Sequence, residues 1–196
     1  MSELITLIQP AEQAPVNLSE CKADLRIEPE FTLDDALIES YILAATKVCS
    51  EMVGRKLINE TWKLSLRHVG LGVIELPLQP VSEIVEIQYF DKDNVSQTLD
   101  KSNLYLYNYD NGSTLEPVIN WSWPQVYSRR DAINITFKAG HGDEQEDVPD
   151  TIKKAIRLIV AHWYEHRSSV LVGVNAQELP MAVDMLLSTE RRGWCA

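Results

Sequence analysis

The segment His162-Trp163-Tyr164-Glu165-His166 holds two histidines four residues apart, with a glutamate beside the second. On a helix that spacing puts both imidazoles on one side, where they can share a metal ion, and the glutamate can activate a water bound to it. The spelling is H-x-x-E-H, the inverted zincin signature. The chemistry it offers is that of a small zinc-dependent hydrolase built on His162, Glu165 and His166. The supply of a third ligand weighs against it. Peptidases with this signature are much larger and take that ligand from a downstream helix, whereas residues 167–196 hold only Glu178 and Glu190 as glutamates. On a helical wheel His166 falls inside the edge of the apolar stripe and His162 just outside it. That placement suits side chains packed at a core margin or a subunit contact.

Other clusters are less specific. His141, Asp143, Glu144, Glu146 and Asp147 offer oxygens to a hard cation. They lack the D-x-[DN]-x-[DN]-G spacing of a calcium loop and read as a solvated acidic loop. Trp121-Ser122-Trp123-Pro124 with Tyr127 has the residue types of a stacking platform, but only Arg129 and Arg130 lie nearby, so buried or interface aromatics fit better. Gly70-Leu71-Gly72 and Gly140-His141-Gly142 are too short for a phosphate or dinucleotide loop, and no serine sits in a G-x-S-x-G elbow. Arg191, Arg192 and Trp194 are types enriched where proteins meet, so this C-terminal segment is a candidate partner interface. No catalytic residue, cofactor site or metal site is assigned.

Net charge is −11 over 196 residues, which opposes dedicated binding of a phosphate backbone, although DNA can still slide past such a surface. Apolar residues make up 45% and charged residues 24%, ordinary values for a globular domain. The opening Met1-Ser2-Glu3-Leu4-Ile5-Thr6 has no basic region ahead of an apolar core, and no apolar run is long enough to span a bilayer. A cytoplasmic site of synthesis and no membrane partner are expected. Cys21, Cys49 and Cys195 are odd in number and far apart, which suits reduced thiols.

The elements that carry these residues follow from periodicity. Residues 1–16 read as an extended arm, restricted by Pro10 and Pro15. A short helix over 17–26 is predicted from Leu18, Cys21 and Leu25, capped by Asn17 or Ser19. A long helix over 33–53 follows from the stripe Ile38, Tyr41, Ile42, Ala45, Val48, Cys49 and Met52, with Thr32 as N-cap and Gly54 as stop. Strands are predicted at 62–66, 73–76, 81–90, 95–99, 104–109 and 133–137, with 95–99 pairing back as a hairpin across Asp91-Lys92-Asp93-Asn94. A second long helix spans 150–167, its stripe being Ile152, Ala155, Ile156, Ile159, Val160 and Trp163. Residues 168–179 read as a loop, and a short helix follows Pro180 through Leu186 and Leu187. The two long stripes should pack on each other, since each otherwise exposes a large apolar patch.

In this order the features resemble the head–tail connector proteins of long-tailed phages and prophages, including those of gene-transfer-agent particles. Leu25-Arg26-Ile27 followed by Asp34-Asp35-Ala36-Leu37-Ile38 is similar to that family's opening, and Ala44-Ala45 and Gly54-Arg55 to its first helix and exit. Thr61-Trp62-Lys63-Leu64, Leu76-Pro77 with Pro80-Val81, and Val85 through Asp91 resemble its strands. Ile135-Thr136-Phe137-Lys138-Ala139-Gly140-His141-Gly142 resembles its last strand end, with His141 where the family often has an aromatic. Val148-Pro149, Ala155-Ile156, His162 to Glu165 and Arg167 are similar to its last long helix, and Leu179-Pro180, Val183 and Leu186-Leu187 to its C-terminal step. The similarity covers about residues 18–190 and is poor over 100–130. It gives HWYEHR no metal role.

The expected fold is α+β: a helical core from the N- and C-terminal helices, with a β-rich insertion between them. The expected layout is an arm (1–16), one connector domain (17–190; helical over 17–56, β-rich over 60–140, helical over 149–190) and a tail (191–196). The resemblance implies a structural virion protein at the head–tail junction, not an enzyme. It would form a ring of about a dozen copies below the portal, extending the DNA channel and offering the tail a docking surface. Implied partners are the portal protein, a stopper or tail-side connector, further copies of itself, and double-stranded DNA passing without sequence-specific binding. Another head-completion or tail-terminator protein is the nearest alternative within the virion.

Overall fold

The computed structural model describes residues 4–69, 72–110, 112–166 and 181–191. Along the chain, helices lie at both ends with antiparallel strands between them, the α+β arrangement the periodicity implies. The helices are α1 (Leu18–Asp24), α2 (Asp35–Val53), α3 (Asp150–Glu165) and α4 (Met181–Ser188). The strands are β1 (Leu4–Gln9), β2 (Glu60–Leu66), β3 (Ile74–Leu76), β4 (Val81–Phe90), β5 (Ser96–Thr98), β6 (Leu104–Tyr109), β7 (Gly112–Pro117) and β8 (Ile133–Ala139). They sort into two compact units. One is Ile58–Asp143 with the N-terminal segment through Glu12; the other is Gln13–Leu57 with Glu144–Arg192.

In the helical unit, α1 begins at a capping box. The Asn17 side chain accepts from Glu20 N at 2.9 Å, and Glu20 Oε2 accepts from Asn17 N at 3.0 Å. α2 buries Ile38, Ile42, Ala45, Cys49 and Val53, at the spacings of one helix face, and stops at Gly54 with φ 70°. Its start differs from the expected Thr32 cap. Asp34 is the N-cap residue and makes no side-chain cap bond. Its carboxylate instead accepts from Tyr164 Oη at 2.6 Å, a link to α3. α3 buries Ile152, Ala155, Ile156, Ile159 and Val160. The two long stripes meet, and Tyr41 and Trp163 pack edge-on with ring centroids 5.9 Å apart. α4 packs on both through Val183 and Leu187.

A buried lysine holds the turn between α1 and α2. Lys22 is 5% exposed. Its Nζ donates to Pro29 O (2.9 Å), Phe31 O (2.7 Å) and Asp35 Oδ1 (2.8 Å), so all three ammonium protons have an acceptor. That full set is what makes a buried charge tolerable.

The β unit has two antiparallel sheets, ordered β1-β2-β8-β4-β5 and β3-β7-β6. β8 is central in the first, and its residues alternate inward and outward as the sequence pattern requires: Ile133, Ile135, Phe137 and Ala139 are all buried. They join Leu64, Leu66, Ile84 and Ile87 from the neighbouring strands, and Ile74, Leu76 and Leu115 from the smaller sheet, in one core. Residues 95–99 do pair back on β4, through Ser96, Gln97 and Thr98. The stretch beyond β8 passes against the chain entering β2: Gly140 N donates to Pro80 O at 2.9 Å, and Asn59 N to Gly142 O at 2.9 Å. Gly140 has φ 153°, and a Cβ there would collide with the backbone of Ile58 and Asn59. The glycine in Ala139-Gly140-His141-Gly142 is thus a steric requirement of this crossing.

Candidate functional site

Among the described residues the histidine motif gathers no third metal ligand. α3 ends at Glu165, and His166 is its C-cap, with φ −108° and ψ 35°. Its ring is exposed, rather than inside the apolar stripe as a continued helix would place it. His166 Nδ1 lies 2.9 Å from His162 O, and the two ring centroids are 4.5 Å apart. Of the two candidate third ligands, Glu178 lies outside the described residues. Glu190 Oε1 accepts from Thr151 Oγ1 at 2.6 Å. Thr151 lies in the first turn of α3, and the eleven-residue separation from His162 corresponds to roughly 16 Å along the helix. Among the described residues no group of three or more His, Cys, Asp or Glu side chains is gathered for a metal.

The acidic loop is bound into its own surroundings. Asn59 Nδ2 donates to Asp143 Oδ1 at 3.0 Å, Gln13 Nε2 donates to Glu144 Oε2 at 3.0 Å, and Glu144 N donates to Asp147 Oδ2 at 3.1 Å. Gln145–Asp147 forms a 3-10 turn closed by a capping box. These contacts disperse the carboxylates. The tryptophans serve the β-unit core: Trp121 and Trp123 pack edge-on at 5.4 Å, both lie against that core, and Trp123 Nε1 donates to Gly72 O at 2.8 Å. Arg129 is held by Asp131 through two bonds of 2.7 and 2.8 Å and sits 3.8 Å above the Phe90 ring. Burial pushes the Cys21 thiol up to about 11 and the Cys49 thiol up to about 12, so both stay protonated and inert. Cys195 lies outside the described residues.

The surfaces suited to partners lie elsewhere. All six residues of edge strand β1, among them Leu4, Ile5, Leu7 and Ile8, are exposed. On α4, Met181 and Met185 stand exposed one turn apart. On β6, Tyr105, Tyr107 and Tyr109 form an exposed row with ring centroids 6.0 and 6.4 Å apart. None of these was singled out from sequence, although the alternation in Leu104-Tyr105-Leu106-Tyr107-Asn108-Tyr109 carries the last of them. Of the expected interface residues, Arg191 Nη2 donates to Asp184 Oδ1 at 2.5 Å, tying the end of α4 to its first turn. Arg192 and Trp194 lie outside the described residues.

Comparison with known proteins supplies the class. The chain matches the head completion protein family over residues 18–177. It belongs to that family, whose members are structural proteins of phage-type virions and not enzymes. No curated protein matches it. Solved structures share its fold over nearly the whole chain. A chain from the neck of an empty gene transfer agent particle, computed with C6 symmetry, is 20% identical with TM-score 0.78, covering 98% of this chain and 97% of that one. A chain from the virion of a native gene transfer agent particle is 21% identical with TM-score 0.77 at the same coverage. A third, from the neck of a native particle computed with C12 symmetry, is 20% identical with TM-score 0.71, again covering 98% and 97%.

Proposed function

We propose that this protein is a head–tail connector subunit. About a dozen copies form a closed ring below the portal, extend the DNA channel and present the surface on which the tail docks. The observation that carries the reading is the family match together with fold similarity, over 98% of the chain, to chains in particle necks described with sixfold and twelvefold symmetry. The mechanism is geometric. Exposed apolar strands, tyrosines and methionines are placed for contact, and the chain's net charge of −11 repels passing DNA rather than holding it. In this reading Arg191, Arg192 and Trp194 grip the portal, a stopper or tail-side connector meets the other side of the ring, and the protein resides at the head–tail junction of the virion.

Electron microscopy of the protein mixed with its portal tests the ring: stacked rings on the portal are expected, and portal particles without added density would refute it. The C-terminal grip has its own test. Deleting residues 188–196 should abolish portal binding, and unchanged binding removes that part while leaving the ring intact.

A further inference from the structure

The three-stranded sheet has two chemically different faces. Its strand register places Ile74, Leu76, Leu115, Leu104 and Leu106 on the core side. On the opposite face Tyr105 lies across from Glu116, Tyr107 across from Thr114, and Thr114 across from Glu75. The three tyrosines are 53%, 41% and 54% exposed. Aromatic side chains contribute most when buried, so a row of three in water is surface suited to a partner. The only ionisable acids or bases of the Asp, Glu, Lys and Arg types in β3, β6 and β7 are Glu75 and Glu116. The face is therefore both negative and rich in π-electron surface.

The edge of this sheet is open as well. β6 is the terminal strand, and among the described residues no strand or bridge pairs with its outer side. Free edges are ordinarily guarded by lysine, proline or a bulge. Leu104–Tyr109 contains neither residue, and its register with β7 runs without a shift. A second strand can extend the sheet there through main-chain hydrogen bonds, with alternate side chains falling beside the tyrosines.

We propose that β6 receives an extended, arginine-bearing segment of a partner protein, with arginines at alternate positions over Tyr105, Tyr107 and Tyr109, within reach of Glu116 and in the field of Glu75 further across the sheet. Guanidinium fits this face better than ammonium because it stacks on aromatic rings and pairs with carboxylates in two-pronged fashion. Phosphate is repelled by the same carboxylates, which argues against nucleic acid despite the stacked rings. The two-residue period of the tyrosines matches that of a strand. The proposal concerns one surface of the β unit and does not require the ring.

The full chain is titrated with a fluorescein-labelled octapeptide of alternating arginine and threonine, and with versions carrying lysine or glutamine for arginine. The arginine peptide should bind about tenfold more tightly than the glutamine one and about threefold more tightly than the lysine one. Replacing all three tyrosines (Tyr105→Ser, Tyr107→Ser, Tyr109→Ser) should weaken it about tenfold, and Glu75→Gln with Glu116→Gln about threefold. Amide NMR on the unmodified protein is independent of how the variants fold, and should show the largest shifts in β6 and β7. Four results would overturn the proposal: no peptide binding, equal binding of the lysine peptide, shifts elsewhere, or unchanged affinity in the folded tyrosine variant. So would displacement of the peptide by oligo-dT, preferential binding of the face to phosphatidylserine vesicles, or self-association that the tyrosine changes abolish.

Discussion

The helical unit and the β unit solve the same problem by opposite means. Helices satisfy their backbone bonds internally, so what fixes one helix against another must come from side chains. In the helical unit the apolar stripes of α2, α3 and α4 pack together, and polar side-chain links tie its elements as well: Lys22 to Asp35 and two carbonyls, Arg157 to Asp24, Tyr164 to Asp34, Thr151 to Glu190. Strands pair through the backbone, and that frees their side chains. In the β unit one set of them fills an apolar core, and another set stands in solvent on β1 and β6. The difference teaches where to look for partners in such a fold: on sheet faces and edges, where side chains have no duty to the ladder.

If that contrast is right, the β unit should be most sensitive to lost core volume. Phe137 is wholly buried at the centre of β8. Phe137→Ala should cost about 4 kcal/mol, measured by urea unfolding with an unchanged slope. The helical unit should instead fail at its polar links. Lys22→Met removes the ammonium and leaves the Pro29 and Phe31 carbonyls and the Asp35 carboxylate without it, at a cost of about 3 kcal/mol. A cost below about 1 kcal/mol would show that Lys22 is replaceable by apolar packing and would blunt the comparison. A smaller effect concerns the thiols. Cys21 and Cys49 are buried, so a thiol reagent at pH 8 should reach neither in folded protein and both once denaturant is added. The histidine motif supplies a further check: zinc analysis of purified protein should give less than about a tenth of an equivalent, since no third ligand meets the pair among the described residues.

Much of the fold was legible because its signals are periodic. The stripe Ile38-Ile42-Ala45-Cys49 and the alternation Ile133-Ile135-Phe137 each match a single geometry. β7 was missed because Ser113-Thr114-Leu115-Glu116 presents one large apolar residue, although Asp110-Asn111-Gly112 ahead of it is a hairpin signal. The tyrosine row was read as a strand but not as a surface. Leucine and tyrosine both count as apolar, so alternation between them does not say which side faces water; only the packing of Leu104 and Leu106 on the core decides it. His166 was misplaced because the wheel continued a helix that stops one residue earlier. The bonds of Asp34 and Asp35 go to Tyr164 and Lys22, residues whose proximity only the tertiary fold creates, so no local pattern shows them.

The smallest expected effect separates the two units by pH. Asp24 receives two bonds from Arg157, Nε to Oδ2 at 2.7 Å and Nη2 to Oδ1 at 2.6 Å, and the Arg157 guanidinium holds its carboxyl below the usual carboxylate range. A carboxylate whose folded-state pKa is depressed stabilises the fold above its unfolded pKa of about 3.9. That contribution drains away as pH falls from there through the lower folded value. The pair is at the surface, so its worth is small and screened by salt. Arg157→Gln should therefore lower stability slightly at pH 7, and the deficit should close as pH falls below about 4, read as converging urea midpoints of variant and parent. The β unit has a pair of similar geometry in Arg129 and Asp131, two residues apart in one turn. Asp131→Asn removes the charge from this local contact, which a short segment can partly form on its own, and leaves Arg129 over Phe90 and on Asn94, so its deficit at pH 7 should be the smaller. Equal deficits would mean that bridging distant elements confers no advantage on the helical unit's links, and the contrast between the two units would then rest on packing alone.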